Sequence, residues 1–450
     1  MTRPVAAIIL AAGKGTRMKS DLHKVLHPIA GRPMLAHLLA SVERLEPAAK
    51  VVVVGSQREQ VEAAVAGLGV DVALQEPQLG TAHAVLQARE ALAGFDGDIL
   101  VLFGDVPLVP FTTMAEMLVE LELNPEAAAI VLGFLPDNPQ GYGRIITDAD
   151  GSILKMVEDK DATEAERHIH LCNSGMLAIR SADLWPLLER VGNDNAAREY
   201  YLPDVVMLAA ADGRRSRVVI GSTGDLAGVN TRQDLAAVEA YWQRFARAGV
   251  MAAGATLIAP ETVWFSYDTK LGRDVIVEPN VFFGPGVTVA DHVRIRAFSH
   301  IEGATIAAGA EIGPYARLRP GAEIGEQAKV GNFVEVKKAR LGKGAKASHL
   351  TYLGDADVGA GANIGAGTIT CNYDGFFKYR TVIGAGAFIG SNSALVAPVS
   401  IGAGALVAAG SVITRDVAAD ALAVARGDQV EKTGGAARYR EIMAARKKNS

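Results

Sequence analysis

A glycine-rich segment with two cations follows the first apolar run of the chain. The string Leu10-Ala11-Ala12-Gly13-Lys14-Gly15-Thr16-Arg17-Met18 comes directly after a strand-like stretch, and Lys24 lies close behind it. Glycines let backbone N–H groups approach phosphate oxygens, and Arg17 and Lys24 supply positive charge for a triphosphate. The string matches neither the Walker loop nor the full dinucleotide fingerprint. It predicts a phosphate-binding turn of another kind.

A carboxylate follows a second apolar run. The string Gly104-Asp105-Val106-Pro107-Leu108 comes after the strand-like run 99–103, so Asp105 is expected at the mouth of a sheet. A hard oxygen ligand there suits Mg²⁺ held against a nucleotide. Taken alone, an Asp in a turn more often caps a backbone N–H, and the sequence pattern leaves both interpretations open.

Cations and one histidine recur late in the chain at multiples of six residues. Arg319 and Lys337 are 18 residues apart, and His349 lies 12 residues after Lys337. If each coil of a repeat structure takes about 18 residues, these side chains share one wall. Such cations suit a sugar phosphate, and a neutral imidazole can take the proton from an amine that attacks a thioester. A lone histidine is more often structural, so spacing alone does not settle its role.

The first 230 residues alternate between strand-like and helical patterns. Apolar runs such as 6–10, 51–54, 99–103 and 128–134 are separated by amphipathic stretches such as 33–43, 57–66 and 82–91. Strands separated by helices predict a parallel sheet covered on both faces, with ligands at the carboxyl ends of its strands. A segment rich in Ala, Glu, Arg and Gln, from Thr231 to Ala248, then predicts a connecting helix that stops at Gly249.

The second half of the chain repeats every six residues. Branched apolar residues recur at Ile306, Ile312, Leu318, Ile324, Val330 and Val336, and again from Ile383 to Ile413. This period is the signature of a parallel β-helix. The uncharged stretch 381–414 is long enough for a membrane helix, but its Gly, Ser, Asn and Pro residues exclude that reading.

Composition narrows the function classes. The chain has 450 residues, a net charge of -5 and two cysteines, Cys172 and Cys371, outside any CxxC pattern. The charge argues against sequence-blind binding to nucleic acid or anionic membrane, and the cysteine usage fits a reducing cytoplasm better than a disulfide framework. No secretory signal is convincing at the start of the chain.

The complete string from Leu10 to Met18, with Lys24, resembles the signature of sugar-nucleotide pyrophosphorylases. Together with the second half, nearly the whole chain is similar to the bacterial bifunctional N-acetylglucosamine-1-phosphate uridyltransferases/glucosamine-1-phosphate acetyltransferases. The resemblance implies an α/β Rossmann-like nucleotidyltransferase domain followed by a left-handed parallel β-helix. It implies acetylation of glucosamine 1-phosphate by acetyl-CoA, then attack of the product on UTP, which forms UDP-N-acetylglucosamine. Expected boundaries are 1–230, a linker helix 231–250, the β-helix 251–427 and a basic tail 428–450.

The resemblance also implies roles for individual residues of the first domain. The nucleotide and its phosphates would contact Leu10, Ala11, Gly13, Arg17 and Lys24, while uracil would be selected by Gln75, Gly80 and Thr81 in the string Gln75–His83. Mg²⁺ would be ligated by Asp105 and Asn230, and the sugar held by Gly143, Glu158 and Asn173.

A second set is implied in the β-helix. His349 would be the catalytic base, and glucosamine 1-phosphate would be bound by Arg319, Lys337, Tyr352, Asn363 and Lys378. Acetyl-CoA would contact Ala366, Asn372, Tyr373, Ser391, Ala409 and Arg426. Residues 372–380 interrupt the repeats, so we expect a loop that leaves the prism and reaches a neighbour in a homotrimer with shared acetyl sites.

The chain departs from the family pattern at three positions. Phe103 stands where Tyr is usual, Ala82 where Gly is usual, and Pro203 where Thr is usual. Each of these three departures puts in doubt one polar or close-packing contact of the family, and none puts the reaction in doubt.

Three alternatives stay open. The chain could be a single-activity nucleotidyltransferase whose β-helix only builds oligomers, or a regulatory subunit of the kind related to translation initiation factor 2B. A zinc site of the β-helix carbonic anhydrase type around His292 and His300 is disfavoured by their spacing. The basic tail is expected to be a solvated, partly disordered end rather than a nucleic-acid arm.

Overall fold

The computed structural model describes residues 3–195 and 197–448. The chain divides into two compact units, Met1–Ala246 and Arg247–Ser450. Each is described by itself.

The first unit contains a sheet whose strands are formed by apolar, β-branched runs. Its strands, with a separate short hairpin β2–β3, are β1 Val5–Ala11, β2 Pro28–Ile29, β3 Arg32–Pro33, β4 Ala49–Val54, β5 Asp71–Leu74, β6 Asp98–Phe103, β7 Ala129–Phe134, β8 Arg144–Thr147, β9 Ile153–Val157, β10 Cys172–Arg180 and β11 Arg217–Ile220. The main order is β11-β7-β10-β6-β1-β4-β5, and the pair β8–β9 branches from β10. Every residue of β1 is buried, which is typical of a strand covered on both faces.

One strand corrects the prediction of a parallel sheet. β10 runs antiparallel to both of its long neighbours, β6 and β7. Its first residue, Cys172, pairs with Phe134, the last residue of β7, because the chain passes through the β8–β9 pair at that edge and then runs back through the sheet. The start of β10 therefore lies at the carboxyl edge of the parallel strands, where ligands of α/β sheets bind.

Helices cover the sheet, and the alternating strand and helix pattern is confirmed. The helices that do so are α1 Met34–Glu43, α2 Arg58–Val65, α3 Thr81–Gln87, α4 Phe111–Leu123, α6 Ser181–Leu188 and α7 Asp204–Ala211. The single turn α5 Glu164–Arg167 has no buried residue, and α8 Arg232–Ala252 is the predicted connecting helix, which continues past its expected stop at Gly249. Alternate residues of β1 belong to two separate buried clusters: Ala7 and Ile9 to one, Ala6 and Ile8 to the other. Because successive side chains of a strand point to opposite faces, each face of the sheet has its own core.

The second unit is a prism of three parallel sheets, which confirms the predicted left-handed β-helix. Face 1 has the strands β12 Thr256–Leu257, β14 Ile276–Val277, β17 Arg294–Ile295, β20 Glu311–Ile312, β23 Lys329–Asn332, β26 Lys346–His349, β29 Asn363–Ile364, β32 Phe388–Ile389, β35 Leu406–Val407 and β37 Leu422–Ala423. Face 2 has β13 Lys270–Leu271, β16 Thr288–Val289, β19 Ala304–Ile306, β22 Ala322–Ile324, β25 Arg340–Leu341, β28 Ala356–Val358, β31 Thr381–Ile383 and β34 Val399–Ile401. Face 3 has β15 Phe282–Phe283, β18 His300–Ile301, β21 Arg317–Leu318, β24 Glu335–Lys337, β27 Tyr352–Gly354, β30 Ile369–Cys371, β33 Ala394–Val396 and β36 Val412–Ile413.

Inward side chains stack from coil to coil along each face. On face 1, Ile295 pairs with Ile312, Ile312 with Val330, and Ile364 with Ile389. These residues are at most 2% exposed, so the repeat builds a continuous apolar column. The outward residues of the same strands are free to carry chemistry.

Two segments lie outside the repeat. Residues 372–380 separate β30 from β31, as the interruption of the period predicts, and Phe376 and Phe377 are exposed there. The last helix, α9 Gly435–Lys448, has no buried residue. This segment is exposed, as expected of a solvated end, and it forms a helix because Ala, Arg and Glu are good helix formers.

Within residues 3–195 and 197–448, no helix combines the length and apolarity needed to cross a membrane.

Candidate active sites on the two units

A cavity of about 270 Å³ opens at the carboxyl edge of the first unit's sheet. Among the predicted nucleotide residues, those that line it are Leu10, Ala11, Gly13, Lys24, Gln75, Gly80, Thr81 and Asp105. Arg17 and Asn230 do not line it, but both contact each other beside Lys24. The strands and the turns after them therefore bring most of the predicted set to one place.

The glycine-rich turn leaves room for a ligand. A Cβ at Gly13 would have no atom within 4 Å, so the space above this residue is open. Gly15 has φ 56° and would place a Cβ 2.8 Å from Cβ of Lys24. Glycine at position 15 thus permits the close approach of the Lys24 backbone, and Gly13 exposes its backbone to the cavity.

Four polar side chains converge beside this turn. Lys24 Nζ donates to Asp105 Oδ2 at 2.5 Å and to Asn230 Oδ1 at 3.2 Å, and Arg17 donates to the same Asn230 oxygen at 2.9 Å. The two oxygens thus already surround one cationic centre. They fit Mg²⁺, which prefers a few protein oxygens and takes its other ligands from phosphate and water. Among the described residues no cluster of three or more His, Cys, Asp or Glu could hold a metal alone.

The turn before α3 presents the predicted base-recognition residues. Gln75 is 3% exposed, and its Nε2 donates to the carbonyl oxygen of Gly80 at 2.9 Å. Gly80 has φ 119°, and a Cβ there would lie 2.5 Å from the Tyr200 carbonyl oxygen. Thr81 Oγ1 accepts from the N–H of Leu202 at 2.9 Å. Backbone contacts with residues 200–202 therefore hold this turn rigidly.

The predicted sugar residues form a separate small pocket. Gly143, Glu158 and Asn173 line it together, and Asn173 N–H donates to the Gly143 carbonyl oxygen at 2.8 Å. Burial raises the pKa of Glu158, and the carboxylates of Asp161 and Asp204 raise it further. The pocket thus holds a carboxylate that takes up a proton at a higher pH than an ordinary glutamate.

Cations cluster on face 3 of the β-helix. Arg319 follows β21, and Lys337 ends β24 one coil later. The positive charges of Arg319 and Lys378 lower the pKa of Lys337, which places all three cations close together. Glu335 pairs with Arg319 at 2.8 Å. A second carboxylate, Glu302, also acts on Arg319, so three cations face two carboxylates and the cluster keeps the net positive charge that attracts a phosphate.

Tyr352 reaches the same cluster along its strand. A Cβ on Gly354 would lie 2.2 Å from the Tyr352 hydroxyl oxygen, so the ring extends over this glycine. Gly354 pairs with Lys337 in the neighbouring coil. The tyrosine hydroxyl therefore lies at the edge of face 3 that carries the cations.

His349 lies at the corner between faces 1 and 3. It ends β26 and is exposed, and its Nδ1 lies 2.6 Å from Oδ1 of Asn332. An amide oxygen only accepts, so Nδ1 carries the proton and Nε2 is free to accept one. The prediction of one shared wall needs correction: Arg319 and Lys337 lie toward the corner of face 3 with face 2, and His349 lies at its corner with face 1. Twelve residues are two faces of a coil, not a whole coil.

The predicted acetyl-CoA residues fall into two groups. The first group lies at the same corner as His349, with one residue in each of the next three coils of face 1: Ala366, Ser391 and Ala409. Arg426 contacts the last of them, because it donates to the Ala409 carbonyl oxygen at 2.6 Å. They form a track that leads away from the histidine. Asn372 and Tyr373 begin the loop, where Asn372 donates to Asp355 at 2.5 Å.

Asn363 is not brought to the other sugar-phosphate residues. It begins β29 on face 1, whereas Arg319, Lys337 and Tyr352 belong to face 3. Within one chain, the residues predicted to bind glucosamine 1-phosphate therefore lie on two different faces of the prism.

Sequence reasoning missed several residues. Asn332 fixes the His349 ring, and its signal was available because it lies one coil, 17 residues, before the histidine. Glu335 pairs with Arg319 in the same way. Glu199 lines the nucleotide cavity and no sequence pattern marks it.

Comparisons with known proteins match both units. Residues 7–201 match the MobA-like NTP transferase domain, and residues 380–415 match the bacterial transferase hexapeptide with six repeats. A protein named Bifunctional protein GlmU from Rhizorhabdus wittichii is 69% identical over 99% of this chain and 98% of its own. Proteins with the same name from Sphingopyxis alaskensis and Zymomonas mobilis are 65% and 60% identical, over 99% and 98% of this chain and equal shares of their own.

Proposed function

Because the chain belongs to the family of bifunctional GlmU proteins, we propose that it makes UDP-N-acetylglucosamine in two steps. It acetylates glucosamine 1-phosphate with acetyl-CoA, and it then transfers UMP from UTP to N-acetylglucosamine 1-phosphate with release of pyrophosphate. It is both a nucleotidyltransferase and an N-acetyltransferase.

Uridylyl transfer takes place in the cavity of the first unit. A phosphate oxygen of the sugar phosphate attacks the α-phosphorus of UTP, and the bond to pyrophosphate breaks. Catalysis here is positioning and charge neutralisation. Gly13 and Leu10 bring backbone N–H groups to the phosphates, Lys24 and Arg17 supply positive charge, and Glu158 with Asn173 and Gly143 holds the sugar.

Asp105 and Asn230 would hold the Mg²⁺ of this step, which would neutralise phosphate charge. Lys24, whose ammonium group contacts Asp105, would be available to the phosphates when the metal takes up that carboxylate.

Acetyl transfer takes place on the β-helix. Arg319, Lys337 and Lys378 hold the phosphate of glucosamine 1-phosphate, with Tyr352 and Asn363. Nε2 of His349 takes a proton from the amine as its nitrogen attacks the thioester carbon; the C–N bond forms, the C–S bond breaks, and the proton passes to the departing thiolate. Acetyl-CoA lies along Ala366, Ser391, Ala409 and Arg426, with Asn372 and Tyr373 at the loop.

A homotrimer with shared acetyl sites accounts for the division of the predicted set between faces 1 and 3. In a cyclic trimer the interface is heterologous, so two different patches meet; we place face 1 of one copy against face 3 of the next. The corner between these faces carries an aromatic ladder, defined by Phe298, Tyr315 and Phe333, whose rings stack at 4.9 and 5.2 Å. All three rings are about half exposed in the single chain, and a second copy would cover them.

We place the domain boundaries at 230, 250 and 427 and the enzyme in the cytoplasm, where its substrates and free cysteines are both expected.

One observation favours two reactions over a single nucleotidyltransferase activity. Asn332 holds His349 in the tautomer that a general base needs. A β-helix that only built oligomers would have no use for this pair. The test is to incubate the purified protein with acetyl-CoA, glucosamine 1-phosphate, UTP and Mg²⁺ while free thiol and pyrophosphate are measured separately. We expect both products, with pyrophosphate dependent on acetyl-CoA. Thiol release without pyrophosphate, or neither, would contradict the proposal.

A further inference from the structure

The amide of Gln75 has one orientation in the nucleotide cavity. Its Nε2 lies 2.9 Å from the Gly80 carbonyl oxygen and 3.1 Å from Nδ1 of His83. A carbonyl oxygen only accepts, so the NH₂ group must face Gly80. Both N–H bonds are then used, one on Gly80 and one on His83. None of the described residues donates to Oε1 of Gln75.

His83 can accept the second N–H of Gln75 in only one of its two neutral tautomers. Because Gln75 Nε2 is a donor, Nδ1 of His83 must be the acceptor and Nε2 must carry the proton. Beside the ring, Gln87 donates to the backbone carbonyl oxygen of His83 at 3.0 Å, and the Tyr200 ring lies 6.4 Å away between centroids. The Gln87 amide nitrogen also lies 3.3 Å from His83 Nε2, but in this tautomer both nitrogens are donors, so this contact does not hold the ring. Burial lowers the pKa of His83, which favours the neutral ring that this contact requires.

We propose that His83 is a positioning residue for nucleobase specificity, which locks the Gln75 amide so that only its acceptor oxygen meets the base. This rests on the proposed uridylyl transfer in the same cavity. Uracil presents an N–H at its ring position 3, which donates to Oε1, whereas cytosine presents a lone pair there, which is repelled. When cytosine binds, Oε1 of Gln75 faces another acceptor and stays without a hydrogen bond. An unpaired buried acceptor costs binding free energy, which makes this contact a strong source of specificity. Without His83, only the Gly80 carbonyl oxygen holds the amide, so turning its NH₂ group toward the base breaks one hydrogen bond instead of two.

The test measures kcat/KM for UTP and for CTP by pyrophosphate release with N-acetylglucosamine 1-phosphate. His83→Ala is expected to lower the UTP-to-CTP ratio by about tenfold, the effect of one lost discriminating hydrogen bond, mainly through better use of CTP. His83→Asn keeps an acceptor oxygen near the position of Nδ1 and is expected to restore most of the ratio. Thermal unfolding followed by circular dichroism at the helix band reports that the first unit is folded in each preparation.

Gln87→Ala is the matched control, since it removes a neighbouring amide that donates to the His83 backbone and not to Gln75, and it is expected to leave the ratio unchanged. A ratio for His83→Ala equal to that of the parent, or an equal loss with both nucleotides, would overturn the proposal. If His83→Ala does not fold, a ratio for His83→Asn as low as that of Gln75→Ala would also overturn it. A parent enzyme that releases no pyrophosphate from UTP contradicts the proposed function itself, and this result is seen before any variant is compared.

Discussion

The Nδ1–H of His349 decides which nitrogen of this ring can act as a base. Its contact with Oδ1 of Asn332 at 2.6 Å places the proton on Nδ1, so in the neutral ring Nε2 is the acceptor. The two residues pair across neighbouring coils of face 1, so the fold sets their contact. Asn332 therefore acts through His349 and not on the substrate.

Asn332→Ala is expected to lower kcat for acetyl transfer by about 10- to 100-fold, because the ring loses its tautomer and its orientation. KM for glucosamine 1-phosphate should change little, since the cations on face 3 are untouched. Steady-state kinetics by thiol release measure both constants. A rise in KM with kcat unchanged would mean that Asn332 binds substrate instead.

Glu158 leads to a pH dependence of uridylyl transfer. Its pKa is raised above the ordinary glutamate value by burial and by nearby carboxylates. In the proposed role its ionised form accepts hydrogen bonds from sugar hydroxyls more strongly than the protonated form does. As the pH falls toward this raised pKa, Glu158 is protonated and KM for N-acetylglucosamine 1-phosphate is expected to rise. Glu158→Gln is neutral at every pH, so its KM should no longer rise as the pH falls. At neutral pH its KM should be higher than that of the parent, because the carboxylate is missing. An unchanged acid limb in Glu158→Gln would assign the dependence to another group.

At the scale of elements, the turns after the strands of the first unit do the positioning. Gly13 and Gly80 both line the cavity, but for different reasons: the first leaves open space, and the second has φ 119° against the Tyr200 backbone. The same residue type therefore serves ligand access at one position and backbone conformation at the other.

These two glycines give a paired prediction. Gly13→Ala should leave Tm within about 1 °C of the parent and raise KM for UTP, because its methyl group enters only the ligand's space. Gly80→Ala should lower stability by about 1–3 kcal/mol, because its backbone conformation is strained for any side chain, and Tm falls by several degrees. Thermal unfolding and UTP kinetics measure both. Equal changes in Tm for the two variants would contradict this distinction.

The positions of strands and coils also show which parts of the two sites can be predicted from the sequence. The motif strings predicted Lys24, Asp105 and Gln75 at the sheet edge, because strand ends in a parallel sheet meet there. They did not predict that β10 is antiparallel, since reversal depends on the path through β8 and β9. In the β-helix, a period of six predicts coils but not which edge of a face a residue occupies. The one-coil spacing of Asn332 from His349 and of Glu335 from Arg319 is visible in the sequence, but only the structure shows that these side chains meet.

At the scale of the whole molecule, the aromatic ladder predicts the oligomeric state. The parent chain of 47.1 kDa is expected to form a trimer in light scattering. Tyr315→Lys places a charge between Phe298 and Phe333 and should dissociate the trimer and abolish acetyl transfer, while uridylyl transfer persists. Val382→Lys is the control, since Val382 is exposed to a similar extent on face 2. A stable parent monomer with full acetyl transfer would contradict shared sites.

The central claim is that two separate sites in one chain perform two different group transfers. The most direct measurement is to assay both reactions in His349→Ala and in Asp105→Ala. We predict that His349→Ala loses acetyl transfer and keeps uridylyl transfer when N-acetylglucosamine 1-phosphate is supplied, and that Asp105→Ala shows the converse. Loss of both reactions in either folded variant, or of neither reaction in both variants, would contradict the account.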